Sequence, residues 1–396
     1  MPIYHTLGQV PHKRHTQFRQ PDGSLYVEEV FGTHGFSGNE TILYHINSPA
    51  RITGLTFAPA KPPELWNPCG QHHHHLKTGA VPEGGDAVSG RICLMLNDDV
   101  TWSLSRPTEQ MTSFYRNGIA DELYFIHEGS GVLHSVLGDL PFGPGDYVLI
   151  PRGVTYQMEL GEGPHRQLVI ESFGQIETPK RYRNPYGQLM EHSPYSQRDI
   201  RRPNELATHD EKGTFEVQLK LRDGTTTYRL DYHPFDVVGW DGYVYPWALN
   251  IGDFEPITGR VHQPPPVHQT FEGPNFVVCS FVPRKFDYHP QSIPAPYHHS
   301  NIDSEEVMYY VSGNFMSRRG VEVGSITLHP RGIPHGPHPG AAEASIGKEG
   351  TEELAVMMDT FRPLKLTTSA QAFDDERYPY SWLEEPGGFK GSDSMG

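Results

Sequence analysis

Cysteine is scarce in this chain: Cys69, Cys93 and Cys279 lie far apart and form no CxxC pair. That pattern points away from a disulfide framework and from a thiolate zinc site, so a bound metal would have to be held by histidine and carboxylate. Long apolar runs are missing too, and none approaches the roughly 18 residues of a membrane span. The opening residues, Met1 to Thr6, carry neither the basic nor the apolar region of a secretory signal, so the expectation is a soluble, cytoplasmic protein. Positive charge is in deficit, with 32 Lys and Arg against 48 Asp and Glu for a formal net charge of −16. Phosphate affinity comes from clustered Lys and Arg, so nucleic acid is an unfavourable partner and a small molecule is the expected one. Helical periodicity is also rare: one short pattern, residues 369–383, is interrupted by Pro379.

What is abundant is turn and strand chemistry. The 396 residues include 41 Gly, 36 Pro, 20 Tyr and 19 Phe, a balance that favours many short strands joined by tight turns. The expected class is all-β, and the length suits two domains. Strand-length apolar runs bounded by Gly or Pro recur at 123–126, 132–137 and 147–150, and again at 307–311 and 326–328. Aligned without a gap, residues 115–122 and 299–306 share an Asn, the second acidic residue and a following Gly (Gly129 and Gly313). Downstream, 145–156 matches 324–335 through Pro-Arg-Gly. Two copies of one β module follow. The expected division is an N-terminal domain of residues 1–175, a polar Pro- and Arg-containing crossover of 176–212, and a C-terminal domain of 213–396.

Within the second copy, His299, Asn301 and Glu305 precede Gly313, and Gly324 and Pro330 precede His335. This order is close to the paired cupin motifs, HxH…E…G and G…PxG…H, with Asn301 in place of the second His. It points to a bicupin of two jelly-roll-like barrels. His299, Glu305 and His335 are the candidate ligands: two imidazoles and a carboxylate on one face of a metal leave positions open for substrate and dioxygen on Fe(II), although the same donors suit Zn or Mn. Strand parity alone does not place these ligands, because a turn lies between His299 and Glu305. In the first copy the equivalent positions are Tyr115, Asp121 and Tyr156, so that module is expected to be metal-free. His298 is set aside because the repeat places His299 opposite Tyr115.

Other histidines are candidates for support. His329, six residues before His335, could orient a ligand or the substrate, or be a core residue. The stretch from His262 to Phe271 joins a Pro-Pro-Pro run to His262 and His268, and His262 is a candidate acid/base. The run His72-His73-His74-His75 is internal, and consecutive strand side chains diverge. It reads as a surface or interface loop in preference to a metal tract.

With these residues in view the chain resembles the homogentisate 1,2-dioxygenase family along most of its length. The likeness is carried by residues 24–29, by 262–271, by Pro296-Tyr297-His298-His299-Ser300-Asn301 with Glu305, and by Pro334-His335-Gly336-Pro337. The resemblance implies Fe(II) held by His299, Glu305 and His335, and a base at His262 that deprotonates a ring hydroxyl. It also implies O2-dependent cleavage of a para-dihydroxylated ring, homogentisate giving maleylacetoacetate, and a hexamer built as two trimers. Two departures stand out. Animal and pseudomonad members carry an Arg facing the substrate carboxylate where this chain has Ser300, and a Tyr where it has Phe315. The chain therefore resembles a shorter bacterial branch, and a different hydroquinone- or gentisate-like ring is the alternative substrate. Ser300, Phe315, His329 and His268 are the candidate substrate contacts. An alternative of another class is a metal-holding bicupin without turnover.

Overall fold

A computed structural model describes residues 3–68, 70–259, 265–315 and 320–383. The chain divides by its internal contacts into two units: residues 1–63, 82–94 and 98–253 form the first, and 64–81, 95–97 and 254–396 the second. The expected boundary at 176–212 is therefore corrected to the neighbourhood of residue 253. The cause is non-local pairing. Lys212–Lys220 runs parallel to Phe114–Asn117, and Val237–Gly242 pairs with Glu40–His45, so both late strands complete sheets begun early in the chain. The polar crossover is no free linker either. Tyr182, Tyr195 and Ile200 are buried, and the amide of Ile176 donates to Asp121 at 3.0 Å.

The fold is all-β, as expected. In the first unit a seven-stranded sheet runs in the order Leu140–Phe142, Gly131–Ser135, Thr155–Leu160, Phe114–Asn117, Lys212–Lys220, Gly224–Tyr232, Gly54–Pro59. A second sheet includes Asp146–Ile150, Asp121–Glu128, Arg166–Ser172 and Val100–Ser105 as neighbours. These strands read as almost continuous apolar runs because both faces are covered; Leu123, Tyr124, Phe125 and Ile126 are all buried. In the second unit six strands pair in the order Gln269–Gly273, Phe276–Phe281, Leu354–Thr360, Glu305–Ser312, Ile326–His329, His74–Leu76. The helical pattern at 369–383 yields only one turn, Thr368–Gln371, capped by the Thr367 side chain, and a 3-10 turn at Tyr378–Tyr380.

The sequence repeat is a structural repeat. Asp121–Glu128 pairs with Arg166–Ser172 as Glu305–Ser312 pairs with Leu354–Thr360, with Glu122 opposite Glu171 and Glu306 opposite Asp359. Tyr115 is bridged to Tyr156, and His299 to His335. The amide of Gly153 donates to the Asn117 carbonyl at 2.7 Å, and that of Gly332 to the Asn301 carbonyl at 2.7 Å. Gly313, at φ +97, closes the second module's hairpin where a Cβ would lie 2.0 Å from the Glu352 carbonyl oxygen.

Candidate metal centre

Three donor groups converge in the second unit: His299, Glu306 and His335, with ligand atoms all within 4.8 Å of one another. Glu306 Oε1 lies 3.6 Å from His335 Nε2, and Oε2 lies 3.7 Å from His299 Nε2. Those separations are too long for hydrogen bonds. His335 Nε2 is in fact a buried nitrogen with no hydrogen-bond partner. Each ring turns its other nitrogen toward a backbone carbonyl two residues back, Tyr297 for His299 at 3.4 Å and Ile333 for His335 at 3.3 Å. Both Nε2 atoms are thereby left facing the carboxylate. A cation accepting all three would satisfy the orphaned nitrogen and neutralise the buried acid, so the donor set fits a divalent metal.

The carboxylate here is Glu306, whereas the sequence spacing selects Glu305. Successive side chains on a strand point to opposite faces, so only one of the pair can enter the barrel. Glu305 is the outward one, and its Oε2 accepts the Leu364 amide at 2.7 Å. Asp121 does the same in the first module, its Oδ2 accepting the Ile176 amide, four residues beyond the strand end as Leu364 is. Both acids fasten the chain leaving the returning strand. A signal for Glu306 is present in the sequence: in the gap-free repeat Glu306 is matched by an identical Glu122, whereas Glu305 is matched by Asp121.

The interior of the first module shows what this architecture does without histidines. Arg91 occupies it, its Nη1 2.5 Å from Glu122 Oε1 and 3.5 Å from Glu171 Oε1, and its Nη2 3.1 Å from the Tyr156 hydroxyl. Tyr124 bonds the same guanidinium, and Tyr156 donates to Glu122 Oε2 at 2.8 Å. The buried acidic pair Glu122 and Glu171 is thus matched by an internal cation. In the second module the equivalent pair is Glu306 and Asp359. Among the described residues Glu306 has ion pairs to histidines alone, and Asp359 Oδ1 is buried with no hydrogen-bond partner. Burial, and then the charge of Glu306, push the Asp359 carboxyl up to about 7. Burial acts to raise Glu306 as well, but the hydrogen bond from His329 and the facing imidazoles of His299 and His335 outweigh it and hold it well below the usual carboxylate range.

The surroundings divide the remaining candidates. His329 is fully buried beneath the centre, Nδ1 2.8 Å from Glu306 Oε1 and Nε2 3.1 Å from the Tyr378 hydroxyl, and it stacks on His335. It orients the carboxylate. Phe315 is buried in an apolar cluster with Cys279, Met308, Tyr310, Ala355 and Met357, on the strands that carry Glu306 and Asp359 and on their neighbour Phe276–Phe281. Ser300 is exposed beside His299. His268 is buried and stacked on Phe281 at 4.5 Å; burial, reinforced by Arg284, pushes it down to about 3, so its imidazole is neutral. His262 lies outside the described residues. Arg331 donates to the Phe361 carbonyl at 3.0 Å, a turn contact.

The histidine run is not a surface loop, contrary to its sequence reading. His73, His74 and His75 are buried, because His74–Leu76 forms the edge strand beside Ile326–His329 and His73 leads directly into it. Its side chains alternate. His73 Nε2 lies 3.1 Å from the Pro334 carbonyl, and its ring packs on His329, His335 and Trp382. Trp382 Nε1 in turn donates to the Gly336 carbonyl at 3.1 Å. Gly336 is required there, since a Cβ would come 2.7 Å from the His298 Cα. His73, Trp382, Tyr378 and Asp359 were not visible as site residues, because each arrives from a distant segment.

Comparison with known proteins bears on this centre. The family model described as homogentisate 1,2-dioxygenase N-terminal matches residues 100–251. A protein of Saccharolobus solfataricus that carries the name putative dioxygenase is 47% identical over 385 residues, covering 96% of this chain and 99% of its own. A homogentisate 1,2-dioxygenase of Rhodopseudomonas palustris strain BisB18 is 29% identical over 400 residues, covering 92% of this chain and 86% of its own; for that of strain BisA53 the match spans 56% of the relative. Among solved structures, a cupin 2 conserved barrel domain protein from Leptotrichia buccalis aligns with 73% of this chain and 96% of its own, at 10% identity and a TM-score of 0.34. Among the described residues no helix is long and apolar enough to cross a membrane.

Proposed function

Because this chain belongs to the homogentisate 1,2-dioxygenase family and is a dioxygenase, we propose that it cleaves a para-dihydroxylated aromatic ring with O2 at an Fe(II) held by His299, Glu306 and His335. The observation that carries the reading is the buried acid-histidine cluster with an orphaned His335 Nε2, at the register where the sister module keeps Arg91. Fe(II) in a two-histidine, one-carboxylate site supplies open positions for a phenolate and dioxygen side by side.

The protein's own groups do the rest. The Tyr297 and Ile333 carbonyls fix the ring nitrogens, and His329 holds Glu306 by one carboxylate oxygen. The apolar cluster around Met308, Phe315 and Met357 offers a dry wall beside an aromatic ring. The acid/base role stays with His262, which would take the ring hydroxyl proton. Homogentisate is the first substrate to test; Ser300 in place of the family's Arg supports a gentisate- or hydroquinone-like ring as the second. A trimer-based assembly accompanies this proposal.

Oxygen uptake by Fe(II)-reconstituted protein should rise with one member of a panel of homogentisate, gentisate and plain hydroquinone. No uptake with any para-diol would overturn the reading. His262→Asn should keep the iron and slow turnover by about 10²–10⁴-fold, the usual worth of general-base assistance.

A further inference from the structure

The other face of the histidine strand carries a second set of metal donors. His74 opens the strand His74–Leu76, and His72 lies two residues before it. Their rings lie 4.3 Å apart, and His74 Nδ1 is 3.2 Å from Asp374 Oδ1. One donor atom from each of His72, His74 and Asp374 lies within 4.8 Å of the others. His74 is buried and Asp374 half-buried, with side chains 4% and 5% exposed, and Trp66 packs edge-on against His74 at 5.5 Å.

The arrangement is built by the backbone as well as by chance contact of side chains. Leu76 is bridged to Asp374, the Lys77 amide donates to the Phe373 carbonyl at 2.8 Å, and the Asp375 amide donates to the His75 carbonyl at 2.8 Å. Lys77 Nζ pairs with the neighbouring acid, Asp375, at 2.7 Å, whereas Asp374 pairs with His74. Tetrahedral coordination with ligands at about 2.0–2.1 Å places donors roughly 3.3 Å apart, close to the observed His74–Asp374 separation.

We propose that His72, His74 and Asp374 form a second divalent-cation site, of the borderline imidazole-and-carboxylate class that Zn²⁺ favours, separate from the Glu306 centre. Its effect is to staple the edge strand to the segment that carries Tyr378 and Trp382. Those two side chains contact His329 and His73. The partial exposure of His72 supplies an entry path.

The test uses full-length protein stripped with chelator, reloaded with Zn²⁺ or Co²⁺, exchanged through buffer, and analysed for bound metal. Wild type should hold two ions per chain. His72→Ala and Asp374→Asn should each hold one and keep oxygen uptake after iron reconstitution, whereas Glu306→Gln should lose the other ion only. Co²⁺ at a His2Asp site should add a visible absorption band that His72→Ala removes. One ion per chain in wild type, unchanged in His72→Ala, would overturn the second site while leaving the first intact. Because His72 is half-buried, its variant is expected to fold; should Asp374→Asn fail to, His72→Ala alone decides.

Discussion

Glu306 stands directly opposite Asp359 on neighbouring antiparallel strands, and among the described residues no arginine pairs with Glu306, whereas its counterpart Glu122, opposite Glu171, is paired with Arg91. Two buried acids at that distance repel unless one is protonated or a cation intervenes. In the first module Arg91 is that cation, and in the second the Asp359 carboxyl is pushed up to about 7 by burial and by the charge of Glu306.

Removing metal should therefore destabilise the protein. A ligand bound to the folded state alone adds about 2.7 kcal/mol at a hundredfold excess over its Kd. Calorimetry is expected to show a lower transition temperature in chelator, recovered on adding Fe(II) or Zn²⁺. Identical scans would argue against a cation at Glu306.

Arg91 should matter to stability and not to metal. Arg91→Met leaves Glu122 uncompensated at full burial, and breaking a buried pair from one side costs about 3–5 kcal/mol. Urea denaturation should show a loss of that order, with iron content per folded chain unchanged. A shift under 0.5 kcal/mol, or iron appearing in the first module, would contradict the assignment of Arg91 as its internal cation.

The legible part of this molecule was its local patterning. Alternation and turns disclosed an all-β chain, and the Tyr115/His299 and Tyr156/His335 equivalences disclosed the repeat that the strand registers confirm. Glu305 was preferred to Glu306 on the order of the cupin motif, and spacing cannot separate two adjacent acids; the alternation of side chains on Glu305–Ser312, which puts the two on opposite faces, does. The unit boundary, the burial of His73 to His75 and the arrival of Trp382 all depend on pairing between segments far apart in the chain. No local period records that.

The first unit should have its own pH dependence through His45. Burial acts to lower its pKa, but Asp236 at 2.7 Å and Glu29 at 3.0 Å overcome it and raise the value to about 9. A histidine raised in the folded state contributes its full stabilisation below the unfolded value of about 6.5 and loses it as pH rises through the folded one. At 1.36 kcal/mol per unit the contribution is about 3 kcal/mol. Wild type should weaken between pH 6.5 and 9, and His45→Gln should flatten that slope. An unchanged slope would show that His45 is neutral in the fold.

The most direct test of the metal assignment compares two adjacent substitutions, Glu305→Gln and Glu306→Gln, by iron per folded chain after anaerobic loading and desalting. Glu305→Gln keeps an acceptor for the Leu364 amide and should retain iron at the wild-type level with oxygen uptake intact. Glu306→Gln should lose the iron and the activity while remaining folded. The reverse pattern, iron lost from Glu305→Gln and kept by Glu306→Gln, would contradict the account.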